Sequence, residues 1–174
     1  MMQKILPTAV LTLVCAVVCA LLALAHMVTR DRIEAAEIEK VQKSLASVFG
    51  EQTYTALDTV PEGVTAVYRS SDGLTIYDIT ADGYARGGLR VLTGLSPDGR
   101  IAGVGIVSCG ETAGIGTRVT EESYLSRFTG AADEAAYPDA ISGATFSSGG
   151  LHRAVALAQA SYAKEEHEIG RAHV

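Results

Sequence analysis

The stretch 139–148, which reads D-A-I-S-G-A-T-F-S-S, places a threonine hydroxyl at the predicted start of a helix. Gly143 and Ala144 allow a tight turn, and the serines and threonine around them are candidate N-caps. Apolar residues then recur at helical spacing at Leu151, Val155, Ala158 and Tyr162. Because backbone N–H groups and the positive end of the helix dipole converge there, a phosphoester on Thr145 would be stabilised. The simpler alternative is a capped helix start without a ligand.

A second candidate is the glycine-containing loop 109–118, which follows a predicted strand and precedes a predicted short helix. Gly114 and Gly116 would allow the backbone to come close to a ligand. Glu111 and Thr112 are the polar candidates in this loop. A catalytic carboxylate would need a partner acid or base, which the sequence does not identify, so no catalytic residue is predicted. A connector without a ligand is the alternative.

Taken in order along the chain, these motifs resemble those of the extracytoplasmic FMN-binding domain family. The matching series comprises a glycine-tyrosine pair, a hairpin and the loop after it, at 83–84, 88–95, 97–100, 101–107 and 111–116. Within the family, the chain most resembles the G subunits of Rnf-type ion-translocating electron-transport complexes. Two positions depart from the family pattern, since Cys109 stands where histidine is frequent and Ala113 where proline is frequent.

The resemblance implies FMN attached through a phosphoester to Thr145, which a separate flavin transferase installs from FAD. The other predicted cofactor-binding residues, from the turn and helix start and from the glycine-containing loop, are Ser142, Gly143, Ala144, Ser147, Ser148, Glu111, Thr112, Gly114 and Gly116. The chain would then be the electron-transfer subunit of a membrane complex that couples electron transfer between ferredoxin and NAD to Na+ or H+ translocation. Its partners would be the other subunits of that complex, and the isolated chain would show no turnover.

Two alternatives stay open at this point. The C subunit of a sodium-translocating NADH:quinone reductase shares this domain and its attachment, although the short chain favours the G subunit. A non-redox, membrane-anchored sensory or binding module of the same fold would leave Thr145 unmodified. Co-purifying partners would distinguish the first alternative, and the intact mass of the chain would distinguish the second.

Composition sets outer bounds on these hypotheses. The 174 residues, 48% of them hydrophobic, suffice for one modest globular domain and a membrane segment. A net charge of -6 argues against a nucleic-acid partner, which would need a basic patch. Cys15 and Cys19 lie in the apolar N-terminal run and Cys109 stands alone, so no disulfide framework is predicted. The four histidines show no ligand-like spacing, and no metal site is predicted.

The N-terminal segment 5–29 contains no charged residue, and a helix needs about 20 predominantly apolar residues to cross a bilayer. A cleaved secretory signal is the alternative, because the A-L-A at 23–25 resembles a cleavage site. The apolar stretch is longer than the roughly 7–15 residues usual in such a signal, which favours an uncleaved anchor.

The orientation of that anchor is predicted from the family rather than from charge. Basic residues after the span outnumber those before it, which by the positive-inside count alone would place the domain in the cytoplasm. Long translocated domains largely escape this rule. The resemblance implies a single-pass anchor in the cell membrane, in contact with membrane lipid, and an FMN domain on the extracytoplasmic side.

The rest of the pattern predicts an α+β domain. A short tail at 1–4 precedes the anchor at 5–29, an amphipathic helix at 30–50 follows it, and the domain occupies 51–167. Three Asp-Gly pairs, at 72–73, 82–83 and 98–99, are typical of tight hairpin turns. An antiparallel sheet is therefore expected from strands at 64–69, 74–79, 88–95 and 100–108, followed by a short helix at 121–128. We expect the helices at both ends of the chain to pack on one face of the sheet.

The last seven residues, 168–174, read E-I-G-R-A-H-V. This string matches what a common short-read sequencing adapter would encode in this frame. We therefore expect these residues to be a sequencing artefact, and the alternative is an ordinary frayed polar end.

Overall fold

The computed structural model describes residues 2–172, which divide into two units at a boundary after Lys40. The first helix, α1, is Met2–Phe49, so the predicted anchor and the predicted connecting helix are one helix. Within α1, Ala9–Arg30 is long and apolar enough to cross a membrane, and its large apolar side chains are exposed. It is the one candidate span among the described residues.

Five strands, β1 to β5, form a single antiparallel sheet in which each strand pairs with the next along the chain. Their bounds are Tyr54–Ala56, Ala66–Ser70, Thr75–Ala81, Leu89–Leu95 and Ile101–Cys109. The predicted α+β class and the antiparallel order are confirmed. The additional strand, β1, was not predicted, because a strand of three residues is too short to show an alternating pattern.

Both faces of this sheet are covered, and the prediction that the terminal helices pack on one face is wrong. The end of α1 packs on the first face, where the buried residues are Val41, Leu45, Ile76, Leu92 and Val107. The last helix, α3 (Thr145–Ala172), packs on the second face, where the buried residues include Tyr77, Ile79, Val91, Leu151 and Val155. Consecutive residues of a strand point to opposite faces, so the apolar runs of β3 and β4 require a cover on each side.

Two of the three Asp-Gly pairs form tight turns. Gly73 and Gly99, with φ of +91° and +77°, lie between β2 and β3 and between β4 and β5. The third pair, Asp82-Gly83, lies instead at the start of a longer connection, 82–88, between β3 and β4. This connection contributes to the candidate site.

The chain after β5 is mostly short turns until α3 begins. A 3-10 turn (Gly116–Thr120) precedes α2 (Glu122–Leu125), and two further 3-10 turns, Ser126–Phe128 and Glu134–Ala136, follow it. The helix predicted at 121–128 is thus α2 continued by a 3-10 turn. Of the suspected adapter residues, 168–172 lie in α3, while His173 and Val174 lie outside the described residues.

Candidate functional site

Thr145 is the first residue of α3, and its side chain is exposed. A tight turn leads into it: Gly143 has φ of +84°, and the Ala144 N–H donates to the Ile141 carbonyl at 2.9 Å. The first N–H groups of a helix have no carbonyl partner within the helix, so they point out of its start. An accessible hydroxyl therefore lies beside a group of N–H donors.

A cavity of about 340 Å³ opens beside this turn. It is lined by Tyr84, Glu111, Thr112, Ile115, Gly116, Gly143, Ala144, Phe146 and Ser147. The volume is at the small end of the about 300–1,000 Å³ typical of small-molecule sites. Thr145 is not a lining residue, but the residues on either side of it in the chain are. A group held on its hydroxyl would thus be adjacent to the cavity.

Three large apolar side chains are exposed at the rim of the cavity. Tyr84 is 77% exposed, Phe146 72% and Ile115 52%. The rings of Tyr84 and Phe146 meet edge to face, with centroids 6.4 Å apart and an interplanar angle of 71°. We call these two residues the rim pair. Exposed aromatic side chains beside a cavity are typical of ligand sites, since a bound ligand covers their apolar surface.

The three rim residues are not among the site residues predicted from the sequence. Each of them had a signal in the sequence, because Tyr84 belongs to the glycine-tyrosine pair, Phe146 directly follows Thr145, and Ile115 lies in the matching series at 111–116. Whether an apolar side chain stays exposed depends on the tertiary fold, and local sequence does not decide it.

Glu111 lines the cavity, is only 7% exposed and accepts hydrogen bonds from two other segments of the chain. Its Oε2 accepts a hydrogen bond from the Tyr84 N–H at 2.9 Å, and its Oε1 accepts one from the Ala85 N–H at 3.1 Å. The Ser147 hydroxyl also donates to Oε2. A single carboxylate therefore connects the 82–88 connection, the loop after β5 and the first turn of α3.

Glycines provide the space that this carboxylate occupies. A Cβ on Gly83 would lie 2.6 Å from Glu111 Oε1, and one on Gly88 would also collide with that oxygen. A Cβ on Gly116 would lie 2.7 Å from both the Glu111 Cβ and the Ser147 Oγ. Gly116 was expected to let the backbone approach a ligand, and in the structure it also lets the loop pack against Glu111.

The pKa of Glu111 lies below its ordinary value. Burial alone would raise this pKa, but the Ser147 hydroxyl and the N–H groups of Tyr84 and Ala85 together outweigh the effect of burial. Glu111 is therefore ionised at neutral pH. It acts as a hydrogen-bond acceptor and not as a proton donor.

The predicted site residues differ in how they lie relative to the cavity. Six of them line it, namely Glu111, Thr112, Gly116, Gly143, Ala144 and Ser147. Ser142 and Thr145 are exposed at the turn before α3 and at its first residue. Ser148 is fully buried, and its Oγ accepts a hydrogen bond from the Ile141 N–H at 3.0 Å, so it fixes the turn. Gly114 lies in the loop but outside the lining.

A larger cavity, of about 650 Å³, lies along β5 and contains none of the predicted site residues. Its lining includes most of β5, the end of α1 and the α2 region, and among these residues is Cys109. We assign the site to the smaller cavity, because Glu111, Thr112 and Ser147 converge on it and exposed aromatic side chains lie at its rim. No cluster of three or more His, Cys, Asp or Glu side chains suited to a metal occurs in the part of the chain that the structure describes.

Comparison with known proteins matches residues 83–160 to the family described as FMN-binding domain. The G subunit of the ion-translocating oxidoreductase complex of Cereibacter sphaeroides is 32% identical over 123 residues, and that of another strain of the species is 31% identical. Each alignment covers 63% of this chain and 56% of the relative, so the chain spans little more than half the length of the curated relatives it matches. The resemblance predicted from the motifs is confirmed.

Proposed function

We propose that this chain, whose residues 83–160 form an FMN-binding domain, is an electron-transfer subunit of a membrane-bound, ion-translocating oxidoreductase complex. FMN is attached through a phosphoester to Thr145. The observation on which the proposal depends most is the exposed hydroxyl at the first residue of α3, beside a cavity with an aromatic rim. Ferredoxin and NAD as redox partners, and Na+ or H+ as the ion, are proposed from the resemblance.

The residues present at the site fit an attached FMN. N–H groups at the start of α3 favour a phosphate on the Thr145 oxygen. The exposed side chains of Tyr84, Phe146 and Ile115 offer apolar surface to a flat ring. The cavity is small, but covalent attachment maintains a high local concentration of the cofactor without a deep pocket.

Attachment from FAD by a flavin transferase is a phosphoryl transfer without any redox change. Thr145 Oγ1 forms a bond to the phosphorus on the riboflavin side of FAD, and the bond from that phosphorus to the bridging oxygen breaks. AMP leaves with that oxygen, and the hydroxyl proton passes to a base of the transferase. Thr145 is thus a modified residue and not a catalytic one.

The chain's own side chains position the cofactor and set its surroundings. Bound FMN supplies reversible electron-transfer chemistry. The rim pair provides contact surface, and ionised Glu111 places a negative charge at the cavity wall. Because the side chains at the rim of the cavity are exposed, the site is open to partner subunits, as electron exchange between proteins requires.

The helix segment Ala9–Arg30 would anchor this subunit in the cell membrane, surrounded by lipid. We place the FMN domain on the extracytoplasmic side, following the resemblance. Outside the cytoplasm, where free FMN would be scarce, a covalent attachment prevents loss of the cofactor.

The proposal is tested by intact mass after co-expression of the full chain with a flavin transferase. We expect one adduct with the mass of FMN less water, mapped to the peptide 139–153. Thr145→Ala is expected to abolish the adduct, whereas Ser142→Ala removes an exposed hydroxyl three residues away and should leave it intact. Thr145→Ser keeps a hydroxyl and should retain at least part of the modification.

Two results would overturn this assignment. One is a wild-type chain that matures beside the transferase without any adduct, which would favour a non-redox module of the same fold. The other is flavin fluorescence that persists in a denaturing gel of the Thr145→Ala variant. Co-purification with subunits of a quinone reductase, in place of those of the proposed complex, would favour the C-subunit alternative.

A further inference from the structure

Glu111 is the most constrained polar side chain of the site. It is 93% buried, and all three of its described hydrogen bonds come from donors outside its own loop. Three glycines, Gly83, Gly88 and Gly116, leave the space that it fills. Because three donors from the chain already occupy its carboxylate, Glu111 is suited to holding chain segments together.

We propose that Glu111 is a positioning residue that fixes both aromatic side chains of the rim pair. It binds the N–H of Tyr84 itself and the hydroxyl of Ser147, the residue next to Phe146. Both of these donors meet on the same oxygen, Oε2. The inference rests on the proposed function only where it concerns the flavin, because the arrangement of the rim pair is a property of the chain alone.

The positions of the rim pair depend on the backbone segments that carry the two rings. Both rings are more than two-thirds exposed, so their own packing constrains their positions weakly. Hydrogen bonds to a carboxylate are stronger than those between neutral groups, and burial shields them from competing water. Glu111 therefore fixes the two backbone segments from which the rings project.

The chemistry of the contact requires a carboxylate of this length. Tyr84 N–H, Ala85 N–H and Ser147 O–H are all donors, and an ionised carboxylate has acceptors only. In Glu111→Gln the shape is kept, but the new NH2 group faces a donor, so at least one hydrogen bond is lost. In Ser147→Ala the carboxylate keeps the two backbone N–H groups and loses only the link to α3.

Amide hydrogen exchange, measured by mass spectrometry, tests this role on the full chain, produced without a flavin transferase and kept in detergent. Wild type is compared with Glu111→Gln, Ser147→Ala and the control Glu62→Gln, which makes the same chemical change at an exposed loop position. We expect exchange in Glu111→Gln to rise at least tenfold in both 83–88 and 143–148. Exchange in 151–160 and in β4 should stay unchanged, and Glu62→Gln should match wild type. Ser147→Ala should raise exchange mainly in 143–148.

Two outcomes would overturn the inference. If the exchange rate in Glu111→Gln rises uniformly over 41–172, Glu111 supports the whole domain. If the rise is confined to 110–116, Glu111 supports only its own loop.

A second measurement uses the flavin and separates this inference from the proposed function. In chains that carry the adduct, Glu111→Gln and Phe146→Ala are both expected to reduce the visible circular dichroism of the flavin, because the ring loses a fixed environment. If wild type carries no adduct, the proposed function fails and the exchange result still stands. If the adduct forms and Glu111→Gln leaves both dichroism and exchange unchanged, the positioning role is wrong while the proposed function survives.

Discussion

Four hydroxyl side chains lie within residues 142–148, and the structure gives them different environments. Ser147 and Ser148 are 2% and 0% exposed, and the oxygen of each is engaged in a hydrogen bond. Ser142 and Thr145 are exposed, and of these two only Thr145 lies within α3. Thr145 is therefore the hydroxyl best suited to modification, because it is accessible and lies at the positive end of the helix dipole.

The low pKa of Glu111 predicts how the stability of the domain depends on pH. Because the folded-state pKa lies below the unfolded value of about 4.3, ionised Glu111 stabilises the folded state above that pH. The contribution is lost as pH falls through the lower, folded-state pKa. We expect the free energy of unfolding of wild type to exceed that of Glu111→Gln at pH 7, and the difference to shrink below about pH 4.

Urea unfolding of both chains in detergent at several pH values measures this difference. Glu62→Gln is the matched control, since its carboxylate is exposed, and its difference from wild type should stay small throughout. The prediction is contradicted if the difference in free energy of unfolding between wild type and Glu111→Gln stays constant from pH 7 to pH 3.

At the scale of elements, the last turns of α1 belong to the core of the domain. Leu45 is fully buried against the face of the sheet opposite to α3. Replacing it with alanine leaves a cavity, and substitutions of this type typically cost about 2–5 kcal/mol. We expect Leu45→Ala to lower the free energy of unfolding by that amount.

The neighbouring Ser47→Ala is the control for this change. Ser47 is exposed, so its substitution should alter stability by no more than about 0.5 kcal/mol. Urea unfolding in detergent distinguishes the two variants. Equal stabilities would show that α1 does not support the sheet.

How much of these elements the sequence predicts depends on the range of the interactions involved. The Asp-Gly turns and the apolar runs between them are local signals, and they predicted four of the five strands. The face that a helix covers depends on chain connectivity, so the second covered face was not predicted. The start of α3 at Thr145 was predicted because capping and turn residues act within one helical turn.

The structural role of Glu111 cannot be predicted from the sequence. Its donors, Tyr84, Ala85 and Ser147, lie 27, 26 and 36 positions away in the chain. No periodicity or spacing rule connects such distant positions. Gly83 illustrates the same limit, because its Asp-Gly pair predicts a hairpin turn while the structure requires this glycine for the close approach of a carboxylate.

At the scale of the whole molecule, the proposal predicts where the domain lies relative to the membrane. Ser71→Cys introduces a thiol at an exposed turn position of the domain. In intact spheroplasts, a membrane-impermeant maleimide is expected to label this variant as fully as it does after lysis. The wild-type chain is the control for the native cysteines, of which Cys109 is only partly exposed. Labelling that requires lysis would place the domain in the cytoplasm.

The convergence of distant segments on Glu111 has a consequence for the order of events in biogenesis. The surface around Thr145 is assembled from stretches that meet only when the domain has folded. A transferase that recognises this assembled surface would modify mature chains and pass over nascent or misfolded ones. The flavin absorbance of a preparation would then measure the fraction of its chains that are correctly folded. Modification would also mark the folded chains before they assemble with other subunits.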